Sequence, residues 1–169
     1  MNKMEFPISI REVEKTDLNQ ICLIRESNSL PNEKNHLEIV EERIRNYMDT
    51  FLLVCLDEQV IGYLCGAVAT EVTNQEEQSK TKANSPLTIL ELAILADYHC
   101  QGFGTLLLAA FKEKSYEQNR PGISSLCPDK LVSYFEMNGF IEEGMEEDET
   151  SSQMSFRMFW SNPYYQEEV

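Results

Sequence analysis

The sequence is short of basic residues and of long apolar runs, and each shortage excludes a class of protein. Only 14 lysines and arginines stand against 29 aspartates and glutamates, for a formal net charge of −15. Sequence-independent nucleic-acid binding depends on clustered Lys and Arg, so nucleic acid is not an expected partner. No run reaches the ~18 apolar residues of a membrane-spanning helix, and the N-terminus lacks the apolar stretch of a secretory signal. We therefore expect a soluble, cytoplasmic protein with no membrane partner.

Cysteines are also few, and they are unpaired in sequence. Their number is odd and no Cys-x-x-Cys motif occurs, which is typical of free thiols in a reducing cytosol rather than of a disulfide framework or a metal site. No metal is expected. The adjacent pair His99 and Cys100 does not predict a nucleophilic dyad, because neighbours on an extended segment point to opposite sides. The five positions are Cys22, Cys55, Cys65, Cys100 and Cys127.

The length and the apolar content suit one domain with one core. The chain has 169 residues, of which 42% are apolar, and neither a repeat nor a linker divides it. We expect a single domain over residues 1–169. We interpret the acidic net charge primarily as a feature that keeps the protein soluble. A second interpretation is that its electrostatic field attracts cationic substrates.

Apolar periodicity predicts strands and helices along the first half of the chain. The predicted elements are a strand at 8–13, a helix capped at 16–17, a helix at 37–48, and a hairpin of strands at 51–56 and 60–69. Thr70–Pro86 follows with almost no apolar content. A connection of seventeen residues is long for a compact domain, so this segment is either a disordered loop or a substrate lid.

The second half contains a strand, a glycine turn and a helix in direct succession. The strand Leu87–Leu95 carries a single acid, Glu91, and leads into Gly102 and Gly104. Helical spacing follows at Phe103, Leu106, Leu107, Ala110 and Phe111. Such a turn offers backbone N–H groups and the positive end of a helix dipole, which suit a pyrophosphate. A dinucleotide-binding fingerprint would need a third glycine where Leu107 stands, and a helix that merely starts after a turn is the structural alternative. Beyond it we predict a strand at 123–126, a helix at 129–137, and strands from 140 and at 153–160.

Two blocks in this half resemble the GNAT N-acetyltransferases. ELAILADYHCQGFGTLLL, from Glu91, resembles the signature (Gln/Arg)-x-x-Gly-x-(Gly/Ala) between the fourth strand and a helix, with His99 in the Gln/Arg place. LCPDKLVSYFEMNGF, from Leu126, is similar to the helix that ends in Gly-Phe before the sixth strand. The resemblance implies an α/β (α+β) GNAT fold. Its mixed, mostly antiparallel twisted sheet would have six to seven strands with about four helices, splayed between the fourth and fifth strands.

A weaker resemblance points to one branch of this superfamily. The Leu-Cys-x-Asp-x-Leu-Val run and the long insertion before the fourth strand look like the arylalkylamine (serotonin-type) N-acetyltransferases. That branch relays the substrate proton through two histidines on the fourth strand, and the matching positions here are Thr88 and Leu90. The relay is therefore missing.

The resemblance assigns acetyl-CoA to the fourth strand and the turn. Backbone groups of Leu92, Ala93 and Ile94 would pair with the pantetheine arm like an added strand. The pyrophosphate would lie in the turn and the start of the helix. The residues assigned there are Cys100, Gln101, Gly102, Phe103, Gly104 and Thr105, and Phe135 is also assigned to the coenzyme site. The family's arrangement and the net negative charge lead us to expect the acceptor between the segment from Arg25 to Met48 and the acidic hairpin near Glu146.

Acetyl transfer needs a base for the amine proton and an acid for the leaving thiolate, and we assign these roles to Glu91 and Tyr134. Glu91 is either a proton acceptor through water or a satisfied structural carboxylate. The family often has its acid, a tyrosine, at the place of Phe135. Tyr134 lies one residue earlier, about 100° around a helix, so it is either the acid in a shifted register or a packing residue.

The predicted function is transfer of an acetyl group from acetyl-CoA to an amine, expected to be a small cationic primary amine. Transfer would be direct, in a ternary complex, because no positioned nucleophile is visible. The alternatives are a non-catalytic acetyl-CoA-binding module and a protein-modifying acetyltransferase. A homodimer is left open.

Overall fold

The computed structural model describes residues 7–28, 36–72, 84–147 and 153–167. The strands are β1 Ile8–Glu12, β2 Phe51–Leu56, β3 Gln59–Val68, β4 Leu87–Ile94, β5 Gly122–Pro128, β6 Ile141–Glu147 and β7 Met154–Ser161. The α-helices of the described segments are α1 Leu18–Ser27, α2 His36–Tyr47, α3 Ala69–Val72, α4 Phe103–Glu117 and α5 Val132–Met137.

The strands form a seven-stranded mixed sheet in the order β1-β2-β3-β4-β5-β7-β6. Pairing is antiparallel for β1–β2, β2–β3, β5–β7 and β6–β7, and parallel for β4–β5. The predicted fold class is confirmed. The described residues contain five α-helices rather than about four, because the single turn of α3 opens the segment that was predicted to be a loop. Residues 73–83 of that segment lie outside the described residues.

Two compact units make up the chain. One comprises Met1–Cys65 with Glu91–Phe111, and the other comprises Gly66–Leu90 with Lys112–Val169. The single domain over 1–169 stays a prediction.

In the first unit, β1, β2 and β3 form an antiparallel meander. The β2–β3 hairpin turns at Asp57 and Glu58, whose φ angles of 49° and 68° match the twist of the flanking strands. The central apolar positions of α1 and α2 are buried as their spacing predicts, for example Ile21 and Ile44 at 0% and 4% exposure, whereas Leu37 and Met48 at the ends of the predicted second helix are 49% and 37% exposed.

Asp17 lies at the start of α1, where the sequence predicted a helix cap, but its side chain bonds within the 3-10 turn that precedes the helix. It closes the 3-10 turn 15–17 by accepting a hydrogen bond from the backbone N–H of Glu14, 2.8 Å away. Its carboxylate also accepts two bonds from the Arg11 guanidinium, at 2.7 and 2.8 Å. The Arg11 hydrogen bonds are the main reason why the pKa of Asp17 is lowered.

In the second unit, β4 pairs with β5 over Leu87–Ile89, upstream of the residues predicted to hold pantetheine. Lys112 anchors the end of α5, since its Nζ donates to the carbonyl of Asn138 at 2.5 Å and lies 5.3 Å from the ring centre of Trp160.

Across the four described segments, no helix is long and apolar enough to cross a membrane. The same segments contain no group of three or more His, Cys, Asp or Glu side chains arranged to hold a metal ion.

Candidate functional site

The turn between β4 and α4 is shaped by two residues with positive φ. Cys100 has φ +60° and Gly102 has φ +88°, after which α4 begins at Phe103. Glycine adopts this conformation without steric penalty, whereas a cysteine there pays a steric penalty. The first helical bond runs from the N–H of Leu106 to the carbonyl of Gly102 at 3.1 Å. The backbone of the turn is therefore tightly wound at the helix start.

The space in front of this turn suits an anionic group. A Cβ built on Gly102 would meet no atom within 4 Å, so the glycine faces open space rather than packed neighbours. The N–H groups of a helix's first turn have no carbonyl partner within the helix, and the dipole adds positive potential there. Residues 91–111 contain no lysine or arginine. A pyrophosphate in this cradle would therefore be held chiefly by the backbone and the helix start.

Side chains of the turn support it from within. The ring of Phe103 is 7% exposed and meets the ring of Tyr98 edge to face, with centroids 6.0 Å apart. Gln101 donates from Nε2 to the carbonyl of Asp97 at 3.3 Å. The predicted contribution of Phe103 and Gln101 to coenzyme binding would thus come from their backbone groups.

A second support ties the end of β4 to α1. The carbonyl of Ile94 accepts bonds from Asn28 Nδ2 at 2.9 Å and His99 Nε2 at 2.6 Å. His99 Nε2 also lies 3.1 Å from Asn28 Oδ1. Because both neighbours of Nε2 are acceptors, we assign the ring proton to that nitrogen. The carbonyl of Ile94 is therefore already engaged, which speaks against its predicted use by the pantetheine arm.

Glu91 lies at the centre of a buried cluster of charged and polar side chains. Its Oε1 accepts from Arg25 Nε at 2.6 Å and from the Tyr63 hydroxyl, and its Oε2 accepts from Arg43. The side chains of Glu91 and Arg25 are 9% and 3% exposed. Arg25 in turn donates from Nη1 to Nδ1 of His36 at 2.9 Å. We call these five residues the Glu91 cluster.

The cluster leaves Glu91 poorly placed as a proton acceptor. Both of its oxygens accept hydrogen bonds, two of them from guanidinium groups. Burial and the neighbouring charge of Glu91 raise the pKa of Tyr63, so the phenol keeps its proton and donates it. The geometry thus favours the alternative of a satisfied structural carboxylate over the catalytic base.

Burial also determines the protonation state of the thiol of Cys65, which lies near the Glu91 cluster. It raises the pKa of Cys65 to about 12. Cys65 therefore stays a neutral thiol at physiological pH and is not a nucleophile.

The partners of Glu91 were not predicted from the sequence. Arg25 lies four residues after the buried Ile21, on the apolar side of α1, and Tyr63 lies within the buried strand β3. A charged or hydroxyl-bearing residue on a buried face requires a partner, and this was the signal that could have found both.

The second unit contains Tyr134 and Phe135. Phe135 is 4% exposed, and its ring packs edge to face on Phe140 with centroids 5.2 Å apart. Phe135 is therefore a core residue, and its small exposed surface argues against its assignment to the coenzyme site. Tyr134 is half-buried, with its ring centroid 5.8 Å from that of Phe135.

Comparison with known sequences gives one family. Residues 17–140 match the family model described as the acetyltransferase (GNAT) family. No curated protein sequence matches the chain.

Several solved structures share the fold. Ard1 from Thermoplasma volcanium has a TM-score of 0.74 and 19% identity, over 92% of this chain and 97% of that one. The ribosomal-protein-S18-alanine N-acetyltransferase from Escherichia coli has a TM-score of 0.73 and 15% identity, over 96% and 98%. Naa50 from Arabidopsis thaliana, in complex with the bisubstrate analogue CoA-Ac-MVNAL, has a TM-score of 0.71 and 13% identity, over 92% and 99%. At these identities the likeness is one of fold.

Proposed function

The chain belongs to the acetyltransferase (GNAT) family and is an acyltransferase that uses acetyl-CoA, and from this premise we propose that its acceptor is the α-amine of a peptide or protein N-terminus. This departs from the small cationic amine that the sequence led us to expect. It adopts the alternative of a protein-modifying acetyltransferase.

The observation that carries the proposal is the engagement of Glu91. An amine must lose its proton before it attacks, and the assigned base already accepts bonds from Arg25, Arg43 and Tyr63. An α-amine has a pKa near 7.8 and an alkylamine one near 10.4, so at pH 7.5 roughly a third of the former and roughly a thousandth of the latter is neutral. An N-terminal amine therefore depends least on an enzymatic base.

The structural neighbours support the same acceptor class. Their names include an N-acetyltransferase of a ribosomal-protein alanine and an enzyme bound to an analogue that joins CoA to the peptide MVNAL. The weaker resemblance to the arylalkylamine branch gains no support from these comparisons. The cytoplasmic location and the homodimer stay predictions.

The reaction is direct transfer in a ternary complex. The backbone of β4 beside Leu92 and Ala93 and the turn at Gly102 would hold acetyl-CoA, whose thioester supplies the acetyl group. The neutral amine nitrogen attacks the thioester carbonyl carbon, a C–N bond forms, the C–S bond breaks, and the departing thiolate gains a proton. Tyr134 remains the proposed donor of the proton to that sulfur, and its phenolate then takes up the proton that the amine has lost.

A panel of acceptors tests this function. Thiol release at saturating acetyl-CoA is compared for a peptide with a free N-terminus, the same peptide blocked at its N-terminus but carrying a lysine, and a polyamine. We expect kcat/KM to be highest for the free N-terminus, with mass spectrometry placing the acetyl group on the α-nitrogen. A higher kcat/KM for the polyamine would overturn the proposed acceptor. Tight acetyl-CoA binding without turnover on any amine would instead identify a non-catalytic module.

A further inference from the structure

We propose that Lys112 and the indole N–H of Trp160 form a second binding site, which takes a small organic carboxylate beside Gly139. All three residues belong to the second compact unit: Lys112 lies in α4, Gly139 follows α5, and Trp160 lies in β7. We call this the carboxylate site. It goes beyond the proposed function and does not depend on the identity of the acetyl acceptor.

The ammonium group of Lys112 is a half-buried cation without a counter-ion. Nζ donates one hydrogen bond, to the carbonyl of Asn138 at 2.5 Å, and lies 5.3 and 5.9 Å from the ring centres of Trp160 and Phe140. None of the ion pairs in the described part of the chain includes Lys112. Burial lowers the pKa of Lys112, as expected for a cation with no neighbouring carboxylate to stabilise its charge. An ammonium has three N–H donors, so two remain for a ligand.

The indole of Trp160 supplies a further donor. Trp160 is only 8% exposed, yet its Nε1–H has no hydrogen-bond acceptor among the residues that the structure describes. A buried donor left without an acceptor costs about 1–3 kcal/mol. A ligand oxygen that accepted from Nε1 would remove this cost.

Both donors lie beside the same point on the surface, next to the α-carbon of Gly139. A Cβ built on this glycine would lie 3.8 Å from Lys112 Nζ and 3.8 Å from Trp160 Nε1. Gly139 is exposed and has φ +87°, a conformation that residues with a side chain rarely adopt. The point is therefore open to solvent, and a carboxylate there would have one oxygen for the ammonium and one for the indole.

Charge and surroundings define the class of ligand. One ammonium matches the single charge of a carboxylate, whereas the second charge of a phosphate would stay uncompensated in a protein of net charge −15. Two exposed rings border the indole: Tyr116 lies 5.6 Å from Trp160, and Tyr164 lies 5.2 Å from Tyr116, between ring centroids. Such rings favour a carboxylate that carries an aromatic group.

The experiment uses Trp160 as its own reporter. It is the only tryptophan in the sequence, so the indole N–H gives a single cross-peak in a ¹H–¹⁵N NMR spectrum. The full chain is titrated separately with sodium phenylacetate, acetate, phosphate and chloride at constant ionic strength. We expect a saturable shift of this cross-peak with phenylacetate, at a Kd on the order of 1 mM, and with acetate at a higher Kd. Phosphate should bind more weakly than acetate, and chloride should give no saturable shift.

Variants of Lys112 test the cation. Lys112→Gln removes the charge but can still donate to the carbonyl of Asn138, and Lys130→Gln makes the same change at an exposed lysine of the same unit. We expect Lys112→Gln to weaken phenylacetate binding at least about tenfold and Lys130→Gln to change it less than about twofold. Lys112→Arg keeps the charge and should retain binding within about threefold. This variant keeps the test decisive if Lys112→Gln does not fold.

The outcomes concern the carboxylate site alone, since no measurement uses turnover. Absence of a saturable shift with both carboxylates in wild type refutes the site. Equal phenylacetate binding in wild type and Lys112→Gln, or its loss in a folded Lys112→Arg, refutes the role of the ammonium. Tighter binding of phosphate than of acetate overturns the class of ligand. The Kd should be unchanged at saturating acetyl-CoA, and loss of phenylacetate binding there would refute a site separate from that of the coenzyme.

Discussion

The turn at Gly102 and Glu91, the centre of the Glu91 cluster, lie on the same stretch of chain from β4 to α4, yet the turn and the cluster are built in opposite ways. The turn is one continuous segment, and its proposed function would depend on backbone groups and on the open space in front of Gly102. The cluster brings together side chains from four elements around the buried Glu91 and Arg25, with Arg43 partly exposed. A backbone site is damaged by any side chain that fills it, whereas a side-chain site is damaged by the loss of one partner.

Loss of a partner from the cluster should have the largest effect. Glu91→Leu leaves the buried Arg25 without this carboxylate, and removing one side of a buried ion pair costs about 3–5 kcal/mol of unfolding free energy. Tyr63→Phe removes a single hydrogen bond and should cost only about 1 kcal/mol. Denaturant unfolding measures both. Equal losses would show that the two arginines contribute little to holding the cluster together.

Filling the turn should come next. Gly104→Glu adds bulk and negative charge where the pyrophosphate is expected, and we expect acetyl-CoA to bind at least about a hundredfold more weakly, on the order of 2.7 kcal/mol. Ala109→Glu makes a similar change at an exposed position further along α4. Thermal stabilisation by acetyl-CoA should vanish in the first variant and persist in the second. Full stabilisation of Gly104→Glu would place the phosphate site elsewhere.

A smaller effect is expected at Tyr134, which belongs to neither region. A coenzyme thiolate is a fair leaving group because its thiol has a pKa only modestly above neutral, so a proton donor is worth about tenfold at most, or ~1.4 kcal/mol. Tyr134→Phe should therefore lower kcat less than about tenfold, measured by thiol release across about pH 6 to 9. A thousandfold loss with the coenzyme still bound would make Tyr134 an essential acid.

The smallest effect should come from an ion pair that is partly open to water. Arg11 lowers the pKa of Asp17, so the pair stabilises the fold above the ordinary carboxyl pKa near 4 and is lost as pH falls through the lowered value. Wild type should lose more unfolding free energy than Asp17→Asn between about pH 6 and pH 3, by less than about 1 kcal/mol, measured by denaturant unfolding. An equal loss of unfolding free energy in wild type and Asp17→Asn would show that the Arg11–Asp17 pair does not stabilise the fold over this pH range, and its comparison with the Glu91 cluster would then fail.

The two regions also differ in how far the sequence predicted them. Strand β2 was predicted with the bounds Phe51–Leu56 that the structure has, and β4 to within one residue, because nearly all of their residues are apolar. The turn was predicted for the same reason, since its glycines and helix start are adjacent. The partners of Glu91 are 66, 48 and 28 residues away in the chain, and only the folded sheet brings them together. The assignment of Phe135 to the coenzyme site stays a prediction, and the burial of its side chain could not be predicted from the motif.

The conformation of Cys100 has a practical consequence for reagents and reporters. Its thiol is exposed and sits in the turn, whereas Cys55, Cys65 and Cys127 are buried and Cys22 is half-buried. A maleimide dye should therefore label Cys100 first, which places a fluorophore where acetyl-CoA would arrive. The same exposure would let Cys100 react with the disulfide reagents that report released thiol. Cys100→Gly would remove that background and, because φ is +60°, relieve a backbone penalty on the order of 1 kcal/mol.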